Sequence, residues 1–163
     1  MKVMILLGSE SDFEVIEDAL KVFKDFGVSF ALEVASAHRS PERTLKLIRK
    51  AETSGAEIFI AVAGKAAHLA GVVAAHTVRP VIGVPVENAA LAGLDALLST
   101  VQMPKGIPVA TVALGKHGGS NAALLAVEIL ALHDEELRKK LLDHRARMAA
   151  SVESNSKKIQ EKL

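Results

Sequence analysis

Two short polar segments near the start of the chain carry residue types that could bind a phosphorylated sugar and move a proton. Segment 8–12 offers the hydroxyls of Ser9 and Ser11 and the carboxylate of Asp12, and His38 and Arg39 follow later. Arginine can clamp a phosphate in a forked geometry, and a carboxylate can accept two hydrogen bonds from a sugar diol. Imidazole can give and take a proton near neutral pH. These types predict a phosphorylated ribose ligand, with His38 as the acid–base group.

Each of these residues also has an ordinary structural interpretation. Ser11 could serve as a helix N-cap, and Asp12 could do no more than complement a helix dipole. His38 and His68 could be ordinary loop histidines. The role of His117, in a glycine-rich segment, stays open.

The motifs of the common nucleotide and metal sites are missing from the sequence. It contains no G-x-G-x-x-G or G-x-x-x-x-G-K-[ST] loop, no H-E-x-x-H pair and no G-x-S-x-G elbow. There is no cysteine, which excludes disulfides, thiolate-bound metals and thiol catalysis. We therefore predict no metal site and no cofactor-binding site.

Short β-branched runs alternate with amphipathic stretches, a pattern typical of βαβ units and a parallel sheet. The predicted strands span residues 3–7, 29–34, 58–62, 81–84 and 109–113. The predicted helices span residues 13–26, 41 to about 54, 68 to about 77, 91–101, 121–132 and 134–163. We expect one α/β domain over residues 1–163, a three-layer α/β/α sandwich around a parallel five-stranded flavodoxin-like sheet. Its core would end near residue 133, and a C-terminal helical extension would follow.

These elements determine where the polar segments lie. Segments 8–12, 36–39, 64–68 and 115–120 each follow a predicted strand. Because ligands bind outside the carboxyl ends of parallel strands, we expect the first three segments to meet in one crevice. Ser11 and Glu14 have capping-box spacing at the start of the first helix, and Gly27 is expected to end it.

Composition and charge exclude several classes of partner. The 163 residues include 20 Lys and Arg against 19 Asp and Glu, so a net charge of +1 gives no basic field for nucleic acid. No apolar run is long enough to span a membrane, and no targeting segment is visible, so we expect a cytoplasmic protein. Half of the residues are hydrophobic but only 3% are aromatic. This excess of small apolar residues favours burial between subunits of a homo-oligomer.

Several ordered segments resemble one enzyme family. Segment 8–12 resembles the G-S-x-S-D loop of the PurE family, the phosphoribosylaminoimidazole carboxylase catalytic subunit family of purine biosynthesis. Segment 36–41 resembles its S-A-H-R-[TS]-P loop, and segment 66–69 matches A-A-H-L. The resemblance continues through segments 83–86, 101–109 and 121–126, and it spans residues 3 to about 142.

The resemblance implies a reaction in which N5-carboxyaminoimidazole ribonucleotide (N5-CAIR) becomes 4-carboxy-5-aminoimidazole ribonucleotide (CAIR). CO₂ would leave the substrate nitrogen, stay trapped beside aminoimidazole ribonucleotide (AIR), and be attacked by the ring carbon. His38 would be the catalytic acid–base, and no metal or organic cofactor is implied. By the same resemblance, Ser9 and Asp12 would bind the ribonucleotide, and Ser11 and Arg39 its phosphate.

The family also suggests a CO₂ pocket and an assembly. The residues that fall where the family builds this pocket are Ser36, Ala37, Gly64 and His68. Leu69 completes the A-A-H-L segment and is expected to bind substrate. Members form homo-octamers with active sites between subunits, and coupling to the ATP-dependent N5-CAIR synthetase is implied.

Lys65 departs from the bacterial mutase pattern. Bacterial mutases resemble G-A-G-G-A-A-H-L, whereas this chain has a lysine after A-V-A-G. A basic residue at this position resembles the related carboxylases that use CO₂ directly. A cation there could bind phosphate or carboxylate, or could be a surface lysine. Direct AIR carboxylation therefore stays open, and so does a non-catalytic ribonucleotide-binding or flavin-binding module on the same fold.

Overall fold

The computed structural model describes residues 1–87 and 90–163. They form two compact units, Met1–Ala126 and Val127–Leu163. The strands are β1 (Val3–Leu7), β2 (Phe30–Val34), β3 (Ile58–Gly64), β4 (Val81–Val86) and β5 (Ala110–Thr111). The helices are α1 (Phe13–Phe26), α2 (Pro41–Thr53), α3 (Leu69–Ala74), α4 (Leu94–Val101), α5 (Gly115–Leu130) and α6 (Glu135–Gln160).

The sheet of the first unit is parallel throughout, with the strand order β2-β1-β3-β4-β5. This is the flavodoxin-like order, with its crevice where β1 lies between β2 and β3. The prediction of a five-stranded parallel flavodoxin-like sheet with helices on both sides is confirmed. None of the helices in the described ranges is both long enough and apolar enough to cross a bilayer.

Helices cover both faces of the central strands, which explains why those strands are continuously apolar. Side chains alternate between the two faces, and every residue of β1 is buried. One face packs against α2 and α3 in a hydrophobic cluster that includes Met4, Phe59 and Ile48. On α1, the Phe23 ring contacts the Phe30 ring of β2, with centroids 5.5 Å apart.

Several element boundaries differ from the sequence prediction. β3 and β4 each run two residues farther, to Gly64 and Val86, because β3–β4 pairing continues to that point. β5 is shorter than predicted, since only Ala110 and Thr111 pair with β4. β2 begins one residue late, at Phe30, and α3 and α4 are shorter than predicted.

The largest correction concerns α5, which begins at Gly115 rather than near residue 121. Segment 115–120 is therefore helical and not a strand-end loop. Its glycines allow close packing: a Cβ on Gly118 would lie 1.7 Å from the carbonyl oxygen of Ala113, and one on Gly119 would lie 2.0 Å from that of Val15. The glycines thus let the helix start approach neighbouring backbone, rather than breaking the helix.

The second unit contains the long helix α6. Asp134 is its N-cap, and its side chain accepts a hydrogen bond from the backbone N–H of Leu137 at 3.0 Å. Arg145 forms an ion pair with Glu128 at 2.7 Å. No residue of α6 is buried.

Candidate functional site

A cavity of about 610 Å³ opens at the carboxyl ends of β1, β2, β3 and β4. The three predicted segments 8–12, 36–39 and 64–68 meet in its wall, so their expected convergence is confirmed. The cavity is lined by Gly8, Ser9, Ser11, Asp12, Ser36, Ala37, His38, Arg39, Ala63, Gly64, Lys65, Ala66, Ala67, His68, Leu69, Val86 and Glu87. Every site residue predicted from the sequence is in this lining, whereas segment 115–120 is not.

The loop after β1 buries a carboxylate at the base of the cavity. Asp12 is only 6% exposed, and its Oδ2 accepts the backbone N–H of Ser9 at 2.9 Å. Burial raises the pKa of Asp12, and the Ser9 N–H and the charge of Arg39 partly oppose this increase. The hydroxyl of Ser11 donates to that of Ser9 at 3.1 Å. The loop therefore presents one carboxylate and two adjacent hydroxyls.

The predicted capping box at the start of α1 is wrong. The residues 10–12 form a short 3₁₀ turn before α1, and Asp12 occupies the N-cap position of the helix. The reaching-back contact is made by Asp12 to Ser9, three residues earlier, rather than by Glu14 to Ser11. This shift leaves the Ser11 side chain exposed at the cavity.

The loop after β2 folds around the hydroxyl of Ser36. Its Oγ accepts the backbone N–H of Arg39 at 3.1 Å and the side-chain Nε–H at 3.4 Å. The Nη2 of Arg39 donates to the carbonyl of Gly8 at 3.4 Å. These contacts join the first two loops and leave an exposed guanidinium at the cavity, suited to a phosphate.

The rings of His38 and His68 meet across the second and third loops. The Nε2 of His38 and the Nδ1 of His68 are 2.7 Å apart, and the rings are nearly perpendicular, with centroids separated by 4.8 Å. At this distance one nitrogen must carry the hydrogen and the other must accept it. The pair can therefore hold a shared proton and supply it to a group in the cavity.

The loop after β3 has an unusual backbone. Lys65 adopts a left-handed conformation with φ of 55°, and its side chain is exposed. Gly64 precedes Lys65 and packs beside Val86. A Cβ added to Gly64 would lie 3.4 Å from the Val86 Cβ. Leu69 begins α3 and is 2% exposed, so it forms an apolar wall.

Val86 and Glu87 are lining residues that the sequence reasoning missed. The predicted fourth strand ends at residue 84, before Pro85, so Val86 and Glu87 are not expected at the carboxyl end of that strand. Since parallel β4 neighbours β3, the residues at its true carboxyl end reach the same edge. The useful signal was the continued apolar run through Val86.

No cluster of three or more His, Cys, Asp or Glu side chains within residues 1–87 and 90–163 is arranged to hold a metal ion. The charged and titratable groups lining the cavity are instead Asp12, His38, Arg39, Lys65, His68 and Glu87. This set can bind an anionic ligand, hold a hydroxylated group and transfer a proton.

Comparison with known proteins gives a consistent result over nearly the whole chain. Residues 2–151 match the family model described as AIR carboxylase. The chain is 53% identical to N5-carboxyaminoimidazole ribonucleotide mutase of Methanocaldococcus jannaschii, over 98% of each chain. It is 49% identical to the mutase of Escherichia coli K12, over 94% of this chain and 91% of the relative. The crystal structure of Treponema denticola PurE superposes with a TM-score of 0.87 at 30% identity, covering 96% of each chain.

The match extends across the strand-end loops as well as the sheet, since the matched range contains every residue that lines the cavity. The strand order, the sequences of the relatives and the motifs of this chain all indicate the same family. The chain therefore belongs to the AIR carboxylase family, also known as the PurE family.

Proposed function

We propose that this protein is an N5-CAIR mutase, an isomerase that converts N5-CAIR to CAIR in de novo purine biosynthesis. The observation that carries the proposal is the hydrogen-bonded pair of His38 and His68 in a cavity that also holds Arg39 and Asp12. The reaction needs a proton delivered to a nitrogen and a proton removed from a ring carbon, and both can pass through one imidazole. The names of the similar mutases from M. jannaschii and E. coli support the same reaction.

In the proposed mechanism His38 acts first as an acid and then as a base. It protonates the carbamate nitrogen of N5-CAIR, the N–C bond breaks, and CO₂ and AIR remain in the cavity. The imidazole carbon of AIR then attacks CO₂, and the deprotonated His38 removes the proton from that carbon. Atoms and charge balance, so the net reaction is an isomerisation that needs no metal and no organic cofactor. Retaining CO₂ within attack distance of AIR avoids the entropic cost of a second encounter.

The lining residues divide into two functional groups in this proposal. Ser9 and Asp12 bind the ribose, and Ser11 and Arg39 bind the phosphate through the exposed hydroxyl and guanidinium. The CO₂ compartment is lined by Ser36, Ala37, Gly64, His68 and Leu69. Leu69 is buried and apolar, which suits the retention of a neutral gas molecule.

We also infer a cytoplasmic homo-octamer, functionally coupled to the ATP-dependent N5-CAIR synthetase that makes the substrate. Exposed apolar side chains support an assembly: Leu94, Leu98 and Val101 follow one another at helical spacing along α4, each about half exposed. A stripe of this kind fits subunit contact. Light scattering coupled to size-exclusion chromatography tests the assembly, and a monomer across the micromolar range would contradict it.

A second candidate function is direct carboxylation of AIR by CO₂. Two observations favour it, the basic residue Lys65 in the cavity wall and the description of the matching family as AIR carboxylase. Both reactions form CAIR, so product identity alone does not separate them.

The deciding experiment supplies N5-CAIR in one reaction and AIR with excess bicarbonate in another, and follows CAIR absorbance in both. We expect rapid formation of CAIR from N5-CAIR at low bicarbonate. Rapid formation only in the reaction that contains AIR and excess bicarbonate would replace the mutase assignment with the carboxylase. No catalysed formation in either reaction would favour a non-catalytic ribonucleotide-binding module.

A further inference from the structure

We propose that the ammonium group of Lys65 binds the carboxylate that the reaction moves, and so distinguishes carboxylated from decarboxylated aminoimidazole ribonucleotides. The inference rests on the proposed function, because it takes N5-CAIR, AIR and CAIR as ligands of the cavity. It assigns Lys65 a role in specificity, whereas proton transfer belongs to the histidines.

The backbone at Lys65 gives the first argument. Within the described ranges only Lys65 and Ala92 are non-glycine residues with positive φ, at 55° and 49°. Left-handed backbone is unfavourable for a residue with a Cβ, and glycine adopts it freely. Lys65 lines the cavity, whereas Ala92 does not. A lysine at this position therefore lowers stability, which is consistent with a side chain needed for binding.

The charges around the cavity give the second argument. Two cationic side chains line it, on different loops. Arg39 is held by Ser36 and by the carbonyl of Gly8, and its charge lies near Asp12. None of the ion pairs found among residues 1–87 and 90–163 includes Lys65. Its compact charge, with three donors, is available to an anionic ligand.

The position of Lys65 along its loop gives the third argument. The ligand of the proposed reaction carries two anionic groups, a phosphate and a carboxylate. Arg39 contacts the first loop through the Gly8 carbonyl. That loop also carries serine hydroxyls, and the combination suits the phosphate. Lys65 shares its loop with His68, whose ring meets His38 at 2.7 Å. Proton transfer takes place at the atoms that carry the carboxylate, so the cation on this loop is the one suited to that group.

This role has a kinetic consequence. CO₂ is neutral, while the substrate carbamate and the product carboxylate are both negatively charged. An ammonium group that binds the charged forms more strongly than it binds CO₂ stabilises the bound substrate and product and does not lower the barrier between them. Its loss should therefore raise KM more than it lowers kcat.

The test measures binding of CAIR and AIR separately by titration calorimetry, with wild type, Lys65→Met and Lys65→Gly. We expect both variants to bind CAIR about tenfold more weakly, equivalent to ~1.4 kcal/mol, and to bind AIR as the wild type does. Lys105→Met removes an exposed lysine that does not line the cavity and should change neither affinity. Equal weakening of AIR and CAIR would show a phosphate contact, and unchanged CAIR binding would show no contact. Either result overturns the inference.

A stability measurement checks the backbone argument independently. Lys65→Gly relieves the left-handed strain, whereas Lys65→Met keeps it, so we expect a higher Tm for Lys65→Gly. A lower Tm for the glycine variant would contradict the argument.

Turnover of N5-CAIR by the wild type distinguishes failure of the Lys65 inference from failure of the mutase assignment. If wild type converts N5-CAIR but CAIR binding does not depend on Lys65, the inference fails and the mutase assignment stands. If CAIR binding depends on Lys65 without such turnover, carboxylate recognition stands and the mutase assignment fails.

Discussion

The hydrogen bond between His38 and His68 makes a quantitative prediction about catalysis. A positioned general acid–base contributes about 10²- to 10⁴-fold in rate, or ~2.7–5.5 kcal/mol. We expect His38→Asn to lower kcat by that amount, because asparagine cannot carry the proton. The His38 Nε2 and His68 Nδ1 atoms are 2.7 Å apart, so a hydrogen bond joins the two rings. We therefore expect His68→Asn to lower kcat about fivefold, since a net hydrogen bond of ~1 kcal/mol orients the His38 ring.

The double variant separates action through His38 from independent action by His68. If His68 acts only by positioning His38, His38→Asn/His68→Asn should be no slower than His38→Asn alone, because the group to be positioned is already gone. The assay is kcat for CAIR formation from N5-CAIR at saturating substrate. Both side chains are exposed and share only this hydrogen bond of ~1 kcal/mol, so the free energy of unfolding should fall by no more than ~1 kcal/mol in any of the variants. Multiplicative effects in the double variant, or more than a few per cent of wild-type kcat in His38→Asn, would refute this reasoning.

Three further predictions concern binding, packing and pH. Arg39→Ala should raise KM for the phosphorylated substrate at least ~10-fold, through loss of a charge-assisted hydrogen bond, and an unchanged KM would exclude the phosphate contact. Gly118→Ala should lower the free energy of unfolding by ~2 kcal/mol in urea titrations, because the new Cβ meets the Ala113 carbonyl. In the control Gly71→Ala, the new Cβ meets only the flexible Met103 side chain, so equal losses would count against the packing explanation. Burial raises the pKa of Asp12 above its ordinary value of 3.8, so its ionisation opposes folding increasingly as pH rises through that range. Asp12→Asn should therefore be more stable than wild type at pH 7 and lose that advantage towards pH 3, and parallel stability–pH curves would contradict this.

The parts of the fold that were predicted well are those encoded by local sequence. β1 and α1 match their predicted bounds, because a continuous apolar run defines the strand and Gly27, with φ of 75°, ends the helix. β5 was predicted too long because its length depends on pairing with β4, which involves only Ile82 and Gly83. Strand ends set by a neighbouring strand cannot be read from one segment alone.

The start of α5 shows a different limit of sequence reasoning. Glycine lowers helix propensity, so segment 115–120 was predicted to be a loop. The structure uses Gly118 and Gly119 for close approach to the backbone at Ala113 and Val15. Because the approach of Gly119 to Val15 joins segments distant in sequence, no local pattern reveals whether a glycine interrupts a helix or lets it pack.

The candidate site was predictable as a set of residues but not as an arrangement. Polar residues after consecutive parallel strands must lie at one edge of the sheet, which is why every predicted site residue lines the cavity. The contact of His38 with His68 depends instead on the conformations of two separate loops, which no local sequence pattern specifies. Glu87 was missed for the related reason that pairing with β3 extends β4 past Pro85.

Two features that oppose folding occur in the same cavity. Asp12 is an acidic group buried to 6% exposure, where desolvation disfavours its charged form, and Lys65 has a backbone conformation suited to glycine. Substitutions that conserve size or remove the strain would ease both, and stabilising changes of this kind commonly cost function when they lie in a binding site. The buried apolar sheet can offset these local costs because it is covered on both faces. The stability of the sheet therefore allows the loops at its carboxyl edge to hold Asp12 and Lys65 in arrangements that are locally unfavourable.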